Sequence, residues 1–266
     1  MYNNQMKRFY ILTILLVATA YSSGCETTKP QRKEPAQLYK EGVEKFEGKN
    51  SIFTDYEGAE NAFEEIKRRY SFTSYAPLAE LKLADINFER EEYQDAIANY
   101  DEFIKMHPGH KEVPYAIYKK GLSYFNQIGG QDRDLTPTES ALTVFEMLLS
   151  RYPESGYTQE ISEKIDICKQ TLAENEFHIG EFYFKKRSYK AAADRFKSAL
   201  EKFPGYGPKE AAMLYMAKSY LETGEEEKAN NILKRLISAF PGSKEAGEAR
   251  SLLSKYFNEA KEYPDE

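Results

Sequence analysis

Several residue types are scarce in this chain of 266 residues, and each scarcity argues against a class of protein. Tryptophan is absent, and there are only two cysteines and three histidines. The two cysteines, at positions 25 and 168, are too few and too far apart for the disulfide framework of a small secreted domain. Acidic residues outnumber basic ones by 43 to 37, so the chain lacks the basic footprint that nucleic-acid binding requires. The same balance argues against general electrostatic adhesion to anionic lipid.

Motifs that carry chemistry are also missing. The sequence has no glycine-rich phosphate loop, no nucleophile elbow and no metalloprotease helix motif. His107 and His110 have a spacing that could grip a metal ion, but no cysteine or third histidine lies near them in the sequence. We therefore predict that the protein is not an enzyme and has neither a metal site nor a cofactor.

The longest apolar run, residues 9–20, is shorter than the roughly 20 residues that a transmembrane helix needs. Lys7 and Arg8 precede this run, and the small residues Ser22, Ser23 and Gly24 follow it. A charged segment, an apolar segment and a small-residue segment in this order are typical of a secretory signal. We therefore predict a signal peptide over residues 1–24.

Cys25 directly follows these small residues, and this arrangement resembles the bacterial lipoprotein signal. The resemblance implies cleavage before Cys25, lipid attachment to its thiol and anchoring in a membrane. Ser22 departs from the leucine usual at that position, and an ordinary signal with an incidental cysteine is the alternative. Glu26, which follows the cysteine, favours the periplasmic face of the outer membrane. Residues 25–35 then form a polar tether that spans at most about 33 Å.

The rest of the chain repeats a helix–turn–helix pattern. Each unit has a small residue in its first helix, an alanine and an aromatic residue or leucine in its second, and usually a proline at its end. In three units the small residue and the alanine are 12 positions apart, at 84 and 96, 180 and 192, and 217 and 229. The clearest unit contains Gly180, Tyr183, Tyr189, Ala192, Phe196, Ala199 and Pro204.

A small residue lets two antiparallel helices approach closely, and the aromatic side chains fill the groove between them. The pattern matches the tetratricopeptide repeat in five copies, and an unrelated helical bundle is the alternative. We predict an all-α tetratricopeptide-repeat solenoid with repeats 1–3 in residues 36–156, repeats 4 and 5 in residues 157–258, and a polar tail in residues 259–266. One long helix over Tyr157–Lys186 should join the two groups, and Thr136 should be the N-cap of the helix after the insertion in repeat 3.

First helices of a repeat array line a concave face that binds extended peptides. In the N-terminal group this predicts a peptide groove, for which packing inside the solenoid is the alternative role. The predicted groove residues are Tyr39, Asp85, Phe88, Tyr115 and Tyr118.

The signal, the tether and the repeats together resemble the BamD family of outer-membrane assembly lipoproteins. The most specific similarities are Asp132-Arg133-Asp134, Arg151-Tyr152-Pro153 and the segment from Tyr189 to Arg195. The resemblance implies a scaffold whose C-terminal repeats bind BamA, the barrel-inserting protein, and whose N-terminal repeats bind unfolded outer-membrane proteins. It implies partner binding by Arg195 and by Asp132, Arg133 and Asp134. Other lipoproteins of the same machine are further expected partners.

A second function remains open from the sequence. Another tetratricopeptide lipoprotein, such as a pilotin for secretin assembly or a coordinator of envelope division, would share the signal and the repeats.

Overall fold

The structure, a computed structural model, describes residues 32–48, 54–129 and 134–257, and all regular structure in these residues is α-helical. None of the helices in these ranges is both long and apolar enough to cross a bilayer. The helices are α1 (Pro35–Phe46), α2 (Tyr56–Arg69), α3 (Tyr75–Glu89), α4 (Tyr93–Met106), α5 (Val113–Phe125), α6 (Thr136–Arg151), α7 (Thr158–Lys185), α8 (Tyr189–Lys202), α9 (Lys209–Glu222), α10 (Glu226–Ala239) and α11 (Lys244–Phe257).

Consecutive helices pack against each other along the whole described chain. The pairs α1–α2, α3–α4, α5–α6, α7–α8 and α9–α10 correspond to the five predicted units, which we number 1 to 5, so the predicted repeat fold is confirmed. First helices of neighbouring units also contact each other, in units 1 and 2, 2 and 3, and 4 and 5. This places the first helices on the inner side of the array, as expected for a curved solenoid.

The two helices of a unit cross at a glycine in three of the five units. A Cβ atom added at Gly42, Gly121 or Gly180 would lie 2.6, 2.4 or 2.6 Å from the ring of the phenylalanine that faces it. Those rings belong to Phe63, Phe145 and Phe196, and all three are completely buried. The absence of a side chain on the first helix therefore makes the space that the ring on the second helix fills.

Units 2 and 5 carry an alanine where the other units carry this glycine. Ala84 and Ala217 are completely buried, and so are Tyr100 and Leu233 at the position of the phenylalanine. Packing at this level thus follows one rule in all five units: a small residue on the first helix and a large one on the second. Burial of these large side chains supplies much of the apolar stabilisation of each unit.

The predicted long helix between the two groups is confirmed as α7, which has 28 residues. Ile161, Ile165 and Cys168 in its first half belong to the core of units 2 and 3, whereas Phe177 belongs to the core of units 4 and 5. Burial raises the pKa of the Cys168 thiol to about 11, in keeping with its role as a small apolar residue. The helix therefore closes the N-terminal group and begins the C-terminal one.

Helix α11 is a feature that the sequence pattern missed. It packs on α9 and α10 through Ala246, Ala249 and Leu253, and closes the C-terminal group as the first half of α7 closes the N-terminal one. No second helix follows it in the described chain, so it lacks the paired spacing by which the other units were found. A terminal helix with one polar face is what a repeat array needs to keep its end in water.

The predicted N-cap of α6 is wrong by position. Thr136 is already helical, and it is the carboxylate of Asp134 that accepts hydrogen bonds from the Thr136 amide at 3.0 Å and hydroxyl at 2.7 Å. Both bonds favour the charged carboxylate, so they lower the pKa of Asp134. The N-cap position is Leu135, and Asp134, three residues before Pro137, accepts these bonds from just outside it; the pattern alone did not distinguish Asp134 from Thr136.

The crossing glycines give a test of this packing. We expect Gly121→Ala to lower the free energy of unfolding by about 1–3 kcal/mol, because its methyl group would overlap the buried Phe145 ring. Gly247→Ala, on α11 with no neighbouring atom within 4 Å, should instead raise it by up to about 1 kcal/mol through helix propensity. Urea unfolding followed by circular dichroism measures both, and equal changes in the two variants would contradict this packing rule.

Candidate protein-binding surfaces

The five predicted groove residues lie on the first helices of units 1 to 3. Tyr39 is on α1, Asp85 and Phe88 are on α3, and Tyr115 and Tyr118 are on α5. Asp85 is buried and the other four are half-buried. The structure therefore brings them onto one side of the N-terminal group, where each also packs against neighbours. Their role in peptide binding stays a prediction.

Asp85 is the centre of a buried polar cluster that joins three helices. Its Oδ1 accepts hydrogen bonds from the hydroxyls of Tyr100 on α4, at 2.7 Å, and Tyr115 on α5, at 2.9 Å. Its Oδ2 accepts one from the ammonium of Lys82, also at 2.7 Å. With only 2% of its surface exposed, Asp85 is a charge that these three donors make tolerable inside the solenoid.

The same cluster fixes the protonation of its donors. Burial, and then the Asp85 charge, raise the pKa values of the Tyr100 and Tyr115 hydroxyls well above 10.0. Burial alone would lower the pKa of Lys82, but the adjacent carboxylate outweighs it and raises that pKa. The two tyrosines therefore remain neutral donors and Lys82 remains charged at any physiological pH.

A second lysine, Lys119, lies on the same face and the sequence reasoning missed it. Its ammonium sits 3.4 Å from the centre of the Phe88 ring and 3.4 Å from a carboxylate oxygen of Glu89. Burial lowers its pKa although Asp85 and Glu89 act in the opposite direction. A lysine four residues after Tyr115 on a first helix could have signalled its position, since residues i and i+4 share a helix face.

The aromatic side chains at the two ends of this face make further contacts. Tyr118 stacks on Tyr157 with ring centres 4.3 Å apart, and its hydroxyl donates to Glu160 at 2.7 Å. Tyr39 lies 5.7 Å from both Phe63 and Tyr75, centre to centre. We define the aromatic inner face by the half-buried residues Tyr39, Phe88, Tyr115 and Tyr118 together with Lys82 and Lys119.

Arg195 lies at the joint between α7 and α8. Its guanidinium is 3.1 Å from one carboxylate oxygen of Glu176 on α7, and Lys202 is 3.6 Å from the other. The Glu176 side chain is largely buried, whereas that of Arg195 is 43% exposed. Glu176 therefore orients the guanidinium while leaving some of its donors free to bind another protein. Whether Arg195 does so stays a prediction.

Three other predicted site residues lie outside the described residues: Cys25, Asp132 and Arg133. Asp134, the last member of the Asp132-Arg133-Asp134 motif, is described, and its carboxylate is used at the start of α6.

A cleft between α8, α9 and α10 was not found from the sequence. It has a volume of about 340 Å³, and its apolar part is formed by Leu200, Met213, Met216 and Ile232. Lys197, Lys209 and Arg235 stand around it, with Glu201 as the acidic member of the lining. Its residues come from three helices, so only the packing of units 4 and 5 brings them together.

The histidine pair considered as a metal site is engaged otherwise. The His107 Nε2 atom lies 2.7 Å from a carboxylate oxygen of Glu80, and the His110 Nδ1 atom accepts a hydrogen bond from the Glu112 amide at 3.2 Å. In the described ranges no three histidine, cysteine, aspartate or glutamate side chains are grouped as metal ligands would be.

The Asp85 cluster generates a stability prediction. Asp85→Asn should lower the free energy of unfolding by roughly 3 kcal/mol, because it removes the negative charge and leaves the Lys82 ammonium facing an amide N–H, although Oδ1 can still accept from the two tyrosine hydroxyls. Tyr100→Phe, which removes one hydroxyl, should cost about 1 kcal/mol. Glu89→Gln, at an exposed carboxylate of the same helix, should change it by less than about 0.5 kcal/mol. Chemical unfolding of the three variants would contradict the cluster's role if Asp85→Asn behaved like Glu89→Gln.

Comparison with known proteins agrees with this architecture. A family model named YfiO and described as outer membrane lipoprotein matches residues 31–236. A relative named outer membrane protein assembly factor BamD, from Rickettsia prowazekii, is 29% identical, with 95% of this chain and 100% of that protein covered. Proteins of the same name from Caulobacter vibrioides and Neisseria meningitidis are 28% and 25% identical; they cover 92% and 78% of this chain, and the matches span 80% and 79% of those proteins.

Among solved structures, the chain is similar to the TPR2AB domain of yeast Sti1, with a TM-score of 0.45 and 12% identity over 84% of this chain and 85% of that one. At this level the likeness carries no argument, and the repeat assignment rests on the helices themselves. The family model covers well over half of the chain. The resemblance to the BamD proteins is thereby confirmed, and the chain belongs to the YfiO family of outer membrane lipoproteins.

Proposed function

We propose that this protein is a non-catalytic lipoprotein subunit of outer-membrane protein assembly. The observation that carries the proposal is the match to an assembly factor, BamD of Rickettsia prowazekii, over that protein's entire length. A chain of repeats contributes binding energy and geometry to such a process and need not make or break any bond. Its two groups of repeats would hold two different proteins in a fixed relation.

The aromatic inner face suits unfolded outer-membrane proteins as its ligand. Strands of transmembrane barrels alternate apolar and polar residues and carry aromatic girdles, so an unfolded strand exposes aromatic side chains. Half-buried Phe88, Tyr115 and Tyr118 can pack against such side chains with little loss of rotamer freedom, because their own neighbours already fix them. Lys82 and Lys119 add donors for carboxylates or backbone carbonyls of the same segment.

The C-terminal group suits a folded partner, for which a BamA-like protein is the proposed identity. Arg195 is held by Glu176 and exposes part of its guanidinium, and an oriented arginine is a common centre of a protein interface. The cleft between α8, α9 and α10 offers a nearby apolar surface with a basic rim. Other lipoproteins of the assembly machine would bind elsewhere on the solenoid.

Attachment to the outer membrane is proposed to occur through a lipid on Cys25, on the periplasmic face. Two or more acyl chains are enough for stable anchoring, at about 0.8 kcal/mol for each buried methylene. Family membership supports this attachment, since the matching family is one of outer membrane lipoproteins.

The partner proposal predicts a specific defect for Arg195→Ala. Retention of a BamA-like protein during purification from membranes should fall about tenfold, a typical effect of truncating a central interface arginine. Unfolding should shift by less than about 1 kcal/mol, because the pair with Glu176 is partly exposed. Lys190→Ala, at an exposed position on the same helix, serves as the control. Purification of the unaltered chain without any BamA-like protein would refute the proposal.

The substrate proposal predicts that Lys119→Gln weakens peptide binding. Fluorescence anisotropy with a labelled strand of an outer-membrane barrel should show a loss of about five- to tenfold, since the partly desolvated ammonium contributes more than an exposed one. Lys40→Gln, at an exposed lysine of α1, should bind normally. Equal binding by both variants would exclude the aromatic inner face as the peptide site.

Depletion of the protein in cells distinguishes the proposed function from the alternative one. Loss of a single secretin, with other barrel proteins intact, would indicate a pilotin.

A further inference from the structure

The turns after units 1, 2 and 3 lie at one edge of the N-terminal group, because its helices alternate in direction. We call this the inter-unit edge; it consists of residues 70–74, 107–112 and 152–157. Four of the five turns that follow the units begin with an aromatic residue or histidine followed by proline, and then by Gly109, Glu154, Gly205 or Gly242. The turn after unit 1 has Ser71 in place of the proline, and then Phe72.

Phe72 is completely exposed to solvent, the most exposed large apolar side chain in the described part of the chain. Glycine or glutamate stands at this position in the other units, so the turn itself does not require an aromatic residue. Met106, at the end of α4 on the same edge, is exposed to 64% as well. Phe72 therefore buries almost no apolar surface on folding, and its ring is available for contact with a ligand.

The chain leading from the lipid site arrives beside Phe72. The hydroxyl of Tyr70, two residues before it, donates a hydrogen bond of 2.7 Å to the backbone carbonyl of Lys33. Cys25 precedes Lys33 by eight residues, so the two are separated by at most about 26 Å even when fully extended. A lipid on Cys25 would therefore keep the Phe72 turn within a short distance of the bilayer surface.

Exposed cations surround this point although the chain as a whole is acidic. They are Arg32, Lys33, Lys67, Arg68 and Arg69. Lys33 pairs with Glu41 at 2.6 Å and Arg69 with Glu65 at 2.7 Å, whereas Arg32 and Arg68 form no ion pair within the described residues. The opposite edge of units 1 and 2 carries more acids than bases: Lys45 and Arg90 are found there, together with Asp55, Glu57, Glu91, Glu92 and Asp95. Within units 1 and 2 the two edges therefore differ in their balance of charge.

We propose that the inter-unit edge of unit 1 docks on an anionic phospholipid surface, with the Phe72 ring inserted among the headgroups. This inference rests on the proposed lipid attachment at Cys25. Aromatic rings favour the membrane interface, and each cation near an anionic surface adds to the attraction. The tether raises the local concentration of the bilayer, so a contact too weak to recruit a free protein suffices here. Docking would orient units 1 and 2 with their more acidic edge away from the membrane.

The absence of tryptophan in the chain makes Phe72→Trp a unique fluorescent reporter. The full lipidated protein, purified from membranes, would be placed in vesicles of phosphatidylcholine with phosphatidylglycerol, with and without brominated acyl chains. Docking predicts a blue-shifted emission that brominated lipid quenches. Phe182→Trp, at an exposed position near the end of α7 and far from the inter-unit edge, should emit as in water and resist quenching.

Charge removal tests the electrostatic part. Arg32→Gln combined with Arg68→Gln should lower the ratio of docked to undocked protein by about fivefold for each cation removed. Lys185→Gln combined with Lys186→Gln, at the end of α7, should leave this ratio unchanged. The proposal would be overturned if the docked fraction changed neither with vesicle charge nor with the arginine substitutions. It would also be overturned if brominated lipid quenched an indole at position 72 no more than one at position 182.

Failure of the anchor is distinguishable from failure of docking. Vesicle flotation and the mass of the N-terminal peptide report lipid attachment independently of the reporter. Protein that carries lipid and floats, but shows no quenching at position 72, leaves the anchor intact and refutes docking. If Phe72 instead contacts another protein, its emission should shift only when a membrane extract containing the assembly partners is added, and that result also refutes docking.

Discussion

The close approach of two helices at one small residue is the constraint on which the rest of the solenoid depends. In units 1, 3 and 4 a glycine leaves room for a fully buried phenylalanine, and a side chain at the glycine would overlap its ring. Because each unit is closed in this way, its first helix is free to contact the first helix of the next unit. The inner face formed by the first helices, the two edges formed by the turns, and the position of α7 between the two groups all depend on this repeated crossing.

Asp85 shows how the solenoid tolerates a charge beside the proposed binding face. Its carboxylate is shared by donors from α3, α4 and α5, so units 2 and 3 are joined by polar contacts as well as apolar ones. The arrangement also holds Tyr115 at a fixed angle and places Lys82 beside it. Asp85 therefore positions a tyrosine and a lysine of the aromatic inner face, and its own part in peptide binding stays a prediction.

The proposed surfaces differ in chemistry according to their place in the array. The aromatic inner face offers rings and two partly desolvated lysines, which suits an extended chain without a fixed fold. The C-terminal group offers an oriented arginine and a cleft with a basic rim, which suits a folded partner. The inter-unit edge near residue 33 offers an exposed ring and two arginines that form no ion pair within the described residues, which suits lipid. One acidic chain can present all three because the helical array separates its charges in space.

The sequence by itself determined the repeats, the long helix and the resemblance to the BamD family. Spacing of small, aromatic and proline residues is a local property, and a helix of regular pitch converts it directly into a buried stripe. Helix α11 escaped this reasoning because no second helix follows it in the described chain, and Asp134 could not be distinguished from Thr136 as the polar residue at the start of α6. Only the tertiary structure decided that Asp85 is buried, that Lys119 lies on Phe88 and that three helices enclose a cleft. Those contacts join residues distant in sequence, and no periodicity records which side chains meet across different helices.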